Sequence, residues 1–128
     1  MSTVSKKTVL LIDDDSSIRK VYTAKFSLHP DFTIQSAING KEGLDKLQEF
    51  IPDLILLDVM MPKMDGFEVL EKIKKNAVFK KIPVIMLTNL ENATDKAEAI
   101  KRGADDYFVK ALYTPQEVVK KVENLLKK

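Results

Sequence analysis

Four apolar runs in this chain each end on a polar residue, and that pattern leaves few folds open. Val9-Leu10-Leu11-Ile12 runs into Asp13-Asp14-Asp15, and Leu54-Ile55-Leu56-Leu57 into Asp58. Val84-Ile85-Met86-Leu87 runs into Thr88-Asn89, and Tyr107-Phe108-Val109 into Lys110. A continuous apolar run bounded by turn residues marks a strand buried on both faces, as in a parallel sheet covered by helices. In such a sheet, ligands bind in the crevice outside the carboxyl ends of the strands. Asp13, Asp14, Asp58, Thr88 and Lys110 are therefore expected to converge on one crevice. The segment Met61-Pro62-Lys63-Met64-Asp65-Gly66 follows Asp58 directly and supplies a turn.

Between the strands lie helix-period segments. Strands are expected at residues 8–12, 32–37, 54–58, 82–88 and 105–109. The 32–37 segment alternates weakly and reads as a strand nearer an edge. A helix over 16–28 presents Ile18, Val21, Tyr22 and Phe26 on one stripe. A second runs from Asn39-Gly40 to about Phe50, with Leu44 and Leu47 inward. Gly43 inside it costs about 1 kcal/mol relative to Ala with no local reason. A third carries Phe67, Leu70 and Ile73. A fourth over 92–103, closed by Gly103, has Ala93, Ala97 and Ile100 as its thin inward stripe. Thr114-Pro115-Gln116-Glu117 is a capping box opening a last helix with Val118, Val122, Leu125 and Leu126 inward. This alternation predicts an α/β fold, a single (βα)₅ doubly wound parallel five-stranded sheet. The chain, 1–128, fits one domain.

Composition narrows the chemistry. The chain has no cysteine, which excludes disulfides, thiolate zinc sites and a thiol nucleophile and is compatible with a reducing cytosol. No apolar run approaches the ~20 residues of a membrane span, so no membrane insertion is expected. Lys6-Lys7 before Val9 to Ile12 is too short a pattern for a leader peptide, and three Asp cut it off. A net charge of +2 is too mild to imply direct nucleic-acid binding. The lysines at 72–81 and 120–128 read as solvated helix faces. His29, the only histidine, reads as a surface residue before Pro30 and leaves no histidine triad. The methionines read as packing, although Met60 and Met61 sit close to Asp58.

The remaining polar residues suit phosphoryl transfer. Asp15 and Ser16 suffice to cap the first helix, which leaves Asp13 and Asp14 for the strand tip. Adjacent carboxylates in a crevice suit Mg²⁺, which takes one or two carboxylates plus waters and phosphate oxygens. Asp58 beside them has its charged form disfavoured by like charge, which a cation would relieve. It is a plausible carboxylate nucleophile, with Lys110 as a phosphate clamp and Thr88 as a hydrogen-bond donor to a phosphoryl oxygen.

Taken together, Leu-Leu-Ile-Asp13-Asp14-Asp15, Leu-Asp58-Val-Met-Met-Pro62-Lys-Met-Asp65-Gly66, Pro83-Val-Ile-Met-Leu-Thr88 and Gly103-Ala-Asp-Asp-Tyr107-Phe-Val-Lys110 resemble the receiver domain of bacterial two-component response regulators, of the chemotaxis-regulator kind. The resemblance covers roughly residues 7–127. It implies a flavodoxin-like fold and a cytoplasmic phosphoacceptor protein, not an enzyme, that assists its own phosphorylation and dephosphorylation. Asp58 would accept a phosphoryl group, with Mg²⁺, from a phosphohistidine of a sensor histidine kinase or a histidine phosphotransfer protein. Asp14 would ligate the metal directly, Asp13 largely through water, and Met60 through its backbone carbonyl. Thr88 would be the switching hydroxyl, Tyr107 the aromatic that follows it inward, and Lys110 the phosphate partner. The face built from 92–103, 105–109 and 115–127 would change on phosphorylation and bind a partner or a second copy of the domain.

Two positions depart from the family pattern. Ala111 stands where a cis proline usually follows the lysine, leaving a less rigid Lys110 or a strained loop as the alternatives. Asn89 replaces a small residue and would narrow access, so that small phosphodonors react slowly. Two other functions compete. A hydrolase of the haloacid dehalogenase type would use Asp13-x-Asp15, but Ser17 and the missing Gly-Asp motif fit it poorly. A receiver-like scaffold would carry no phosphate. No output domain follows Lys128, so the chain reads as a stand-alone receiver or as one domain of a longer regulator.

Overall fold

A computed structural model describes residues 6–62, 64–89 and 93–127, with the Ala93 side chain excepted. Among the described residues, five parallel strands form one sheet: β1 (Lys7–Ile12), β2 (Phe32–Ala37), β3 (Leu54–Leu57), β4 (Val84–Thr88) and β5 (Asp106–Val109). Five α-helices among the same residues connect and flank them: α1 (Ser16–Ser27), α2 (Gly40–Leu47), α3 (Gly66–Lys75), α4 (Ala93–Lys101) and α5 (Pro115–Leu126). The strand order is β2-β1-β3-β4-β5, which makes β2 and β5 the edges. The chain reverses its direction of travel across the sheet between β1 and β3. The crevice expected of such a sheet therefore opens at the carboxyl ends of these two strands.

The apolar runs form strands because both of their faces are covered. Val9, Leu11, Leu54, Leu56, Ile85, Leu87 and Phe108 pack with Tyr22 and Phe26 of α1 and Val118, Val119 and Val122 of α5. Leu10, Ile12, Ile55, Leu57, Val84, Met86 and Tyr107 pack on the other side, with Val69, Leu70 and Ile73 of α3, Leu47 of α2 and Ala99 of α4. Alternate residues of each strand thus serve opposite cores, as the period of two requires. The capping box at Thr114 is present, with both reciprocal hydrogen bonds.

Several expectations need correcting. β3 stops at Leu57, so Asp58 lies just beyond the strand. β4 starts at Val84 rather than at 82, because a 3₁₀ turn over Phe79–Lys81 carries the chain up to Ile82. In α1, Val21 is 42% exposed and turns away from the core. In α4 the buried side chain is Ala99, whereas Ala97 is exposed and Ile100 is 45% exposed. Ala93 begins that helix, and residue 92 lies outside the described residues. The helix thus turns Ala99 to the sheet, not Ala97 or Ile100. Gly43 has a reason in packing: a Cβ there would collide with Cδ1 of Ile12 and approach its Cγ1 at 2.8 Å. The glycine lets α2 lie against the tip of β1.

Candidate functional site

Sheet register brings the polar residues level. Ile12 pairs with Leu57, and Leu57 with Met86. Thr88 pairs with Val109. Asp13 and Asp58 therefore follow matched positions on neighbouring strands, and Lys110 follows the partner of Thr88. The Asp58 N–H donates to the Ile12 carbonyl at 3.0 Å, which extends the ladder one residue past β3.

Two of the three carboxylates here are buried. Asp13 is 0% exposed and Asp58 6%. Asp13 Oδ1 accepts the Asp15 N–H at 2.9 Å, and Oδ2 accepts from Lys110 Nζ at 2.6 Å. Lys110 Nζ also lies 3.8 Å from Asp58 Oδ2. Asp14 is exposed at the rim of the crevice. Carboxylate oxygens of Asp13, Asp14 and Asp58 all lie within 4.8 Å of one another. Burial pushes the Asp58 carboxyl up to about 6; Lys110 pulls it down, Asp13 pushes it up, the Met60 N–H pulls it down, and Asp14 pushes it up. Three hard oxygen donors, mutually repelling and partly desolvated, fit a divalent cation such as Mg²⁺.

The loop after Asp58 is held by Gly66. The Gly66 N–H donates to the Val59 carbonyl at 2.8 Å. A Cβ on Gly66 would run into the Asp58 carbonyl oxygen and lie 2.8 Å from Val59 Cα, so backbone would have to move. Asp65 caps α3 by accepting the Glu68 N–H at 3.0 Å. Met60 is 64% exposed beside the crevice.

Thr88 is buried at the end of β4, and Asn89 is exposed. Tyr107 is buried among the residues of its core, in the inward position, and its phenol is pushed up by burial and by Asp95 and Asp58. Lys110 to Leu112 form a 3₁₀ turn, with the Tyr113 N–H donating to the Lys110 carbonyl at 3.4 Å. No cis peptide bond occurs among the described residues. With Ala111 in a trans turn, Lys110 still reaches Asp13.

A second group of possible ligands, His29, Asp31 and Glu123, lies elsewhere. His29 is half-buried rather than a surface residue. Its Nδ1 accepts the Asp31 N–H at 3.1 Å, and Nε2 lies 3.2 Å from Glu123 Oε2. With Nδ1 used as an acceptor, Nε2 carries the proton and donates it to Glu123. Both ring nitrogens are engaged, so the group reads as a clamp between the end of α1 and α5. Sequence reasoning did not find it, because its partner lies 94 residues away.

Residues 9–123 match the response regulator receiver domain family. The chain is 36% identical over 124 residues to the probable transcriptional regulator ycf27 of Guillardia theta, covering 97% of this chain and 47% of that protein. It thus spans about half the length of the curated relatives it matches. The chemotaxis protein CheY4 of Vibrio cholerae superimposes with a TM-score of 0.87 at 30% identity, covering 94% of this chain and 98% of that one. The manganese-bound form of response regulator Rcp1 superimposes with a TM-score of 0.80 at 28% identity, covering 93% and 91%.

Proposed function

The chain belongs to the response regulator receiver family, whose general function is a phosphorylation switch, and on that premise we propose that Asp58 is its phosphoacceptor. The observation that carries this reading is a buried carboxylate set between two others and an ammonium group. The donor would be a phosphohistidine of a sensor histidine kinase or of a histidine phosphotransfer protein, in the cytoplasm.

An Asp58 carboxylate oxygen attacks phosphorus, the P–N bond to the donor imidazole breaks, and the imidazole nitrogen regains a proton. The acyl phosphate returns to carboxylate when water attacks phosphorus and releases inorganic phosphate. Asp58 must be ionised to attack, and a value of about 6 leaves most of it ionised at neutral pH. Asp13, Asp14, Asp58 and the Met60 carbonyl are the groups we assign to Mg²⁺, which when bound neutralises carboxylate and phosphoryl charge. Binding of manganese by Rcp1 supports that assignment. Lys110 holds a phosphoryl oxygen, and Thr88 donates to another. Tyr107 moves with Thr88, coupling the crevice to the face of α4, β5 and α5, where a partner or a second copy would dock.

The haloacid dehalogenase alternative makes Asp13 the nucleophile. Asp13 is fully buried with both carboxylate oxygens bonded, which disfavours attack by it. Incubation with Mg²⁺ and a small acyl phosphate should add one phosphoryl group, and Asp58→Asn should abolish it. Labelling that survives Asp58→Asn and disappears in Asp13→Asn would establish the hydrolase reading instead. No labelling, even from a competent kinase, would favour the phosphate-free scaffold.

A further inference from the structure

We infer that Arg19 is a positioning residue for the cation site, acting through the Asp13–Asp14 peptide; the inference rests on the reading of the crevice given above. Arg19 Nη1 donates to the Asp13 backbone carbonyl at 2.8 Å, a bond from the first turn of α1 back to the tip of β1. The other groups of Asp13 are held as well. Its N–H donates to the Ala37 carbonyl at 3.1 Å, and its carboxylate is shared between the Asp15 N–H and Lys110. The Asp13 carbonyl belongs to the peptide that leads into Asp14. Because a peptide unit is planar, fixing this carbonyl fixes the plane from which the Asp14 side chain departs. Asp14 lies exposed at the rim, so it has no surrounding core to orient it. A charge-assisted hydrogen bond is about twice as strong as a neutral one, which suits this task.

Two roles for Arg19 predict opposite signs. Acting through its charge alone, the guanidinium would repel a divalent cation, and removing it would tighten binding. Acting on the peptide, its removal would loosen Asp14 and weaken binding. Titration of the full chain with Mg²⁺ alone, followed by calorimetry, separates them. Arg19→Met keeps the apolar stem and loses the donor; it should bind Mg²⁺ about tenfold more weakly, the usual loss when a group supporting a ligand is removed. Arg19→Lys, which retains a charged donor, should recover most of that loss. The amide resonances of Asp14 and Asp15 in metal-free Arg19→Met should shift as well. Arg19→Gln provides the same comparison should Arg19→Met fail to fold. Equal or tighter Mg²⁺ binding by the neutral variants would overturn the inference while leaving the cation site intact. Absence of Mg²⁺ binding by the unaltered chain would remove the cation site and the inference together.

Discussion

Lys110 Nζ is bound to Asp13 at 2.6 Å and stands 3.8 Å from Asp58, so the ammonium leans toward the carboxylate that we do not assign as phosphoacceptor. Both partners of the shorter contact are almost fully withdrawn from solvent. The arrangement keeps Lys110 at the crevice while leaving an Asp58 oxygen less tightly held.

Removal of the ammonium should therefore be felt by both carboxylates. Lys110→Met leaves Asp13 buried without its cation, and breaking such a pair costs about 3–5 kcal/mol. It also removes the strongest downward influence on Asp58, whose carboxyl should titrate above its present value of about 6. Carboxyl carbon NMR of the folded variant would measure this. An unchanged Asp58 titration would contradict the electrostatic coupling.

The elevated Asp58 value also makes a prediction about stability. The ordinary aspartate value is 3.8, and burial raises it to about 6 in the folded chain. Between these pH values the folded state holds more protons than the unfolded one, so stability falls as pH rises through this window. Above pH 6 the full penalty applies, up to about 3 kcal/mol from 1.36 kcal/mol per unit. Asp58→Asn should thus be more stable than the unaltered chain at pH 7.5 without metal, and the gain should vanish below about pH 4. Urea unfolding across this range tests it; a gain independent of pH would refute the account.

The metal prediction follows from which oxygens are already taken. Asp13 uses both carboxylate oxygens on Asp15 and Lys110, whereas Asp14 lies at the exposed rim. Asp14→Ala should weaken Mg²⁺ binding more than Asp13→Ala. Equal losses would contradict the assignment of direct and water-mediated roles.

Gly43 offers a packing test. Alanine is about 1 kcal/mol better than glycine within a helix. At this position its Cβ would meet the Ile12 side chain, so Gly43→Ala should destabilise despite the propensity gain. Ile12→Ala removes both close atoms, Cδ1 and Cγ1, and the double variant should recover stability beyond the sum of the two single changes. Additive behaviour would show that Ile12 is not the obstacle.

The strands could be read from sequence because their apolar runs are unbroken and their polar ends abrupt. Asp13, Asp58, Thr88 and Lys110 follow from the same ends, since each ends a run. The buried side of α4 was not readable in this way. Alanines at 93, 97 and 99 differ too little in hydrophobicity to orient a helix, and Ile100 misled by being the largest apolar residue nearby. Gly43, Arg19 and the His29–Glu123 clamp left no local signal. Their reasons are, respectively, a methyl group on another element, a backbone carbonyl at a strand tip, and a carboxylate 94 residues away.

Phosphorylation should change the face of α4, β5 and α5. Within the described side chains of α4, Ala99 is the buried apolar contact to the sheet, while Ile100 points outward. So little apolar area marks a segment of low local stability, from which switching elements are drawn. Beneath it, Tyr107 already occupies the inward position, level with Met86 on the neighbouring strand. A phosphoryl group that draws Thr88 toward Asp58 would favour that arrangement rather than create it. A full reversal from 1:99 to 99:1 needs about 5.5 kcal/mol, and a population that begins partly inward needs less. Amide hydrogen exchange with and without a phosphoryl mimic should show its largest changes over 93–109 and 115–126. Changes confined to residues 16–50, with that face unaltered, would refute the coupling and would place the output surface on α1 and α2.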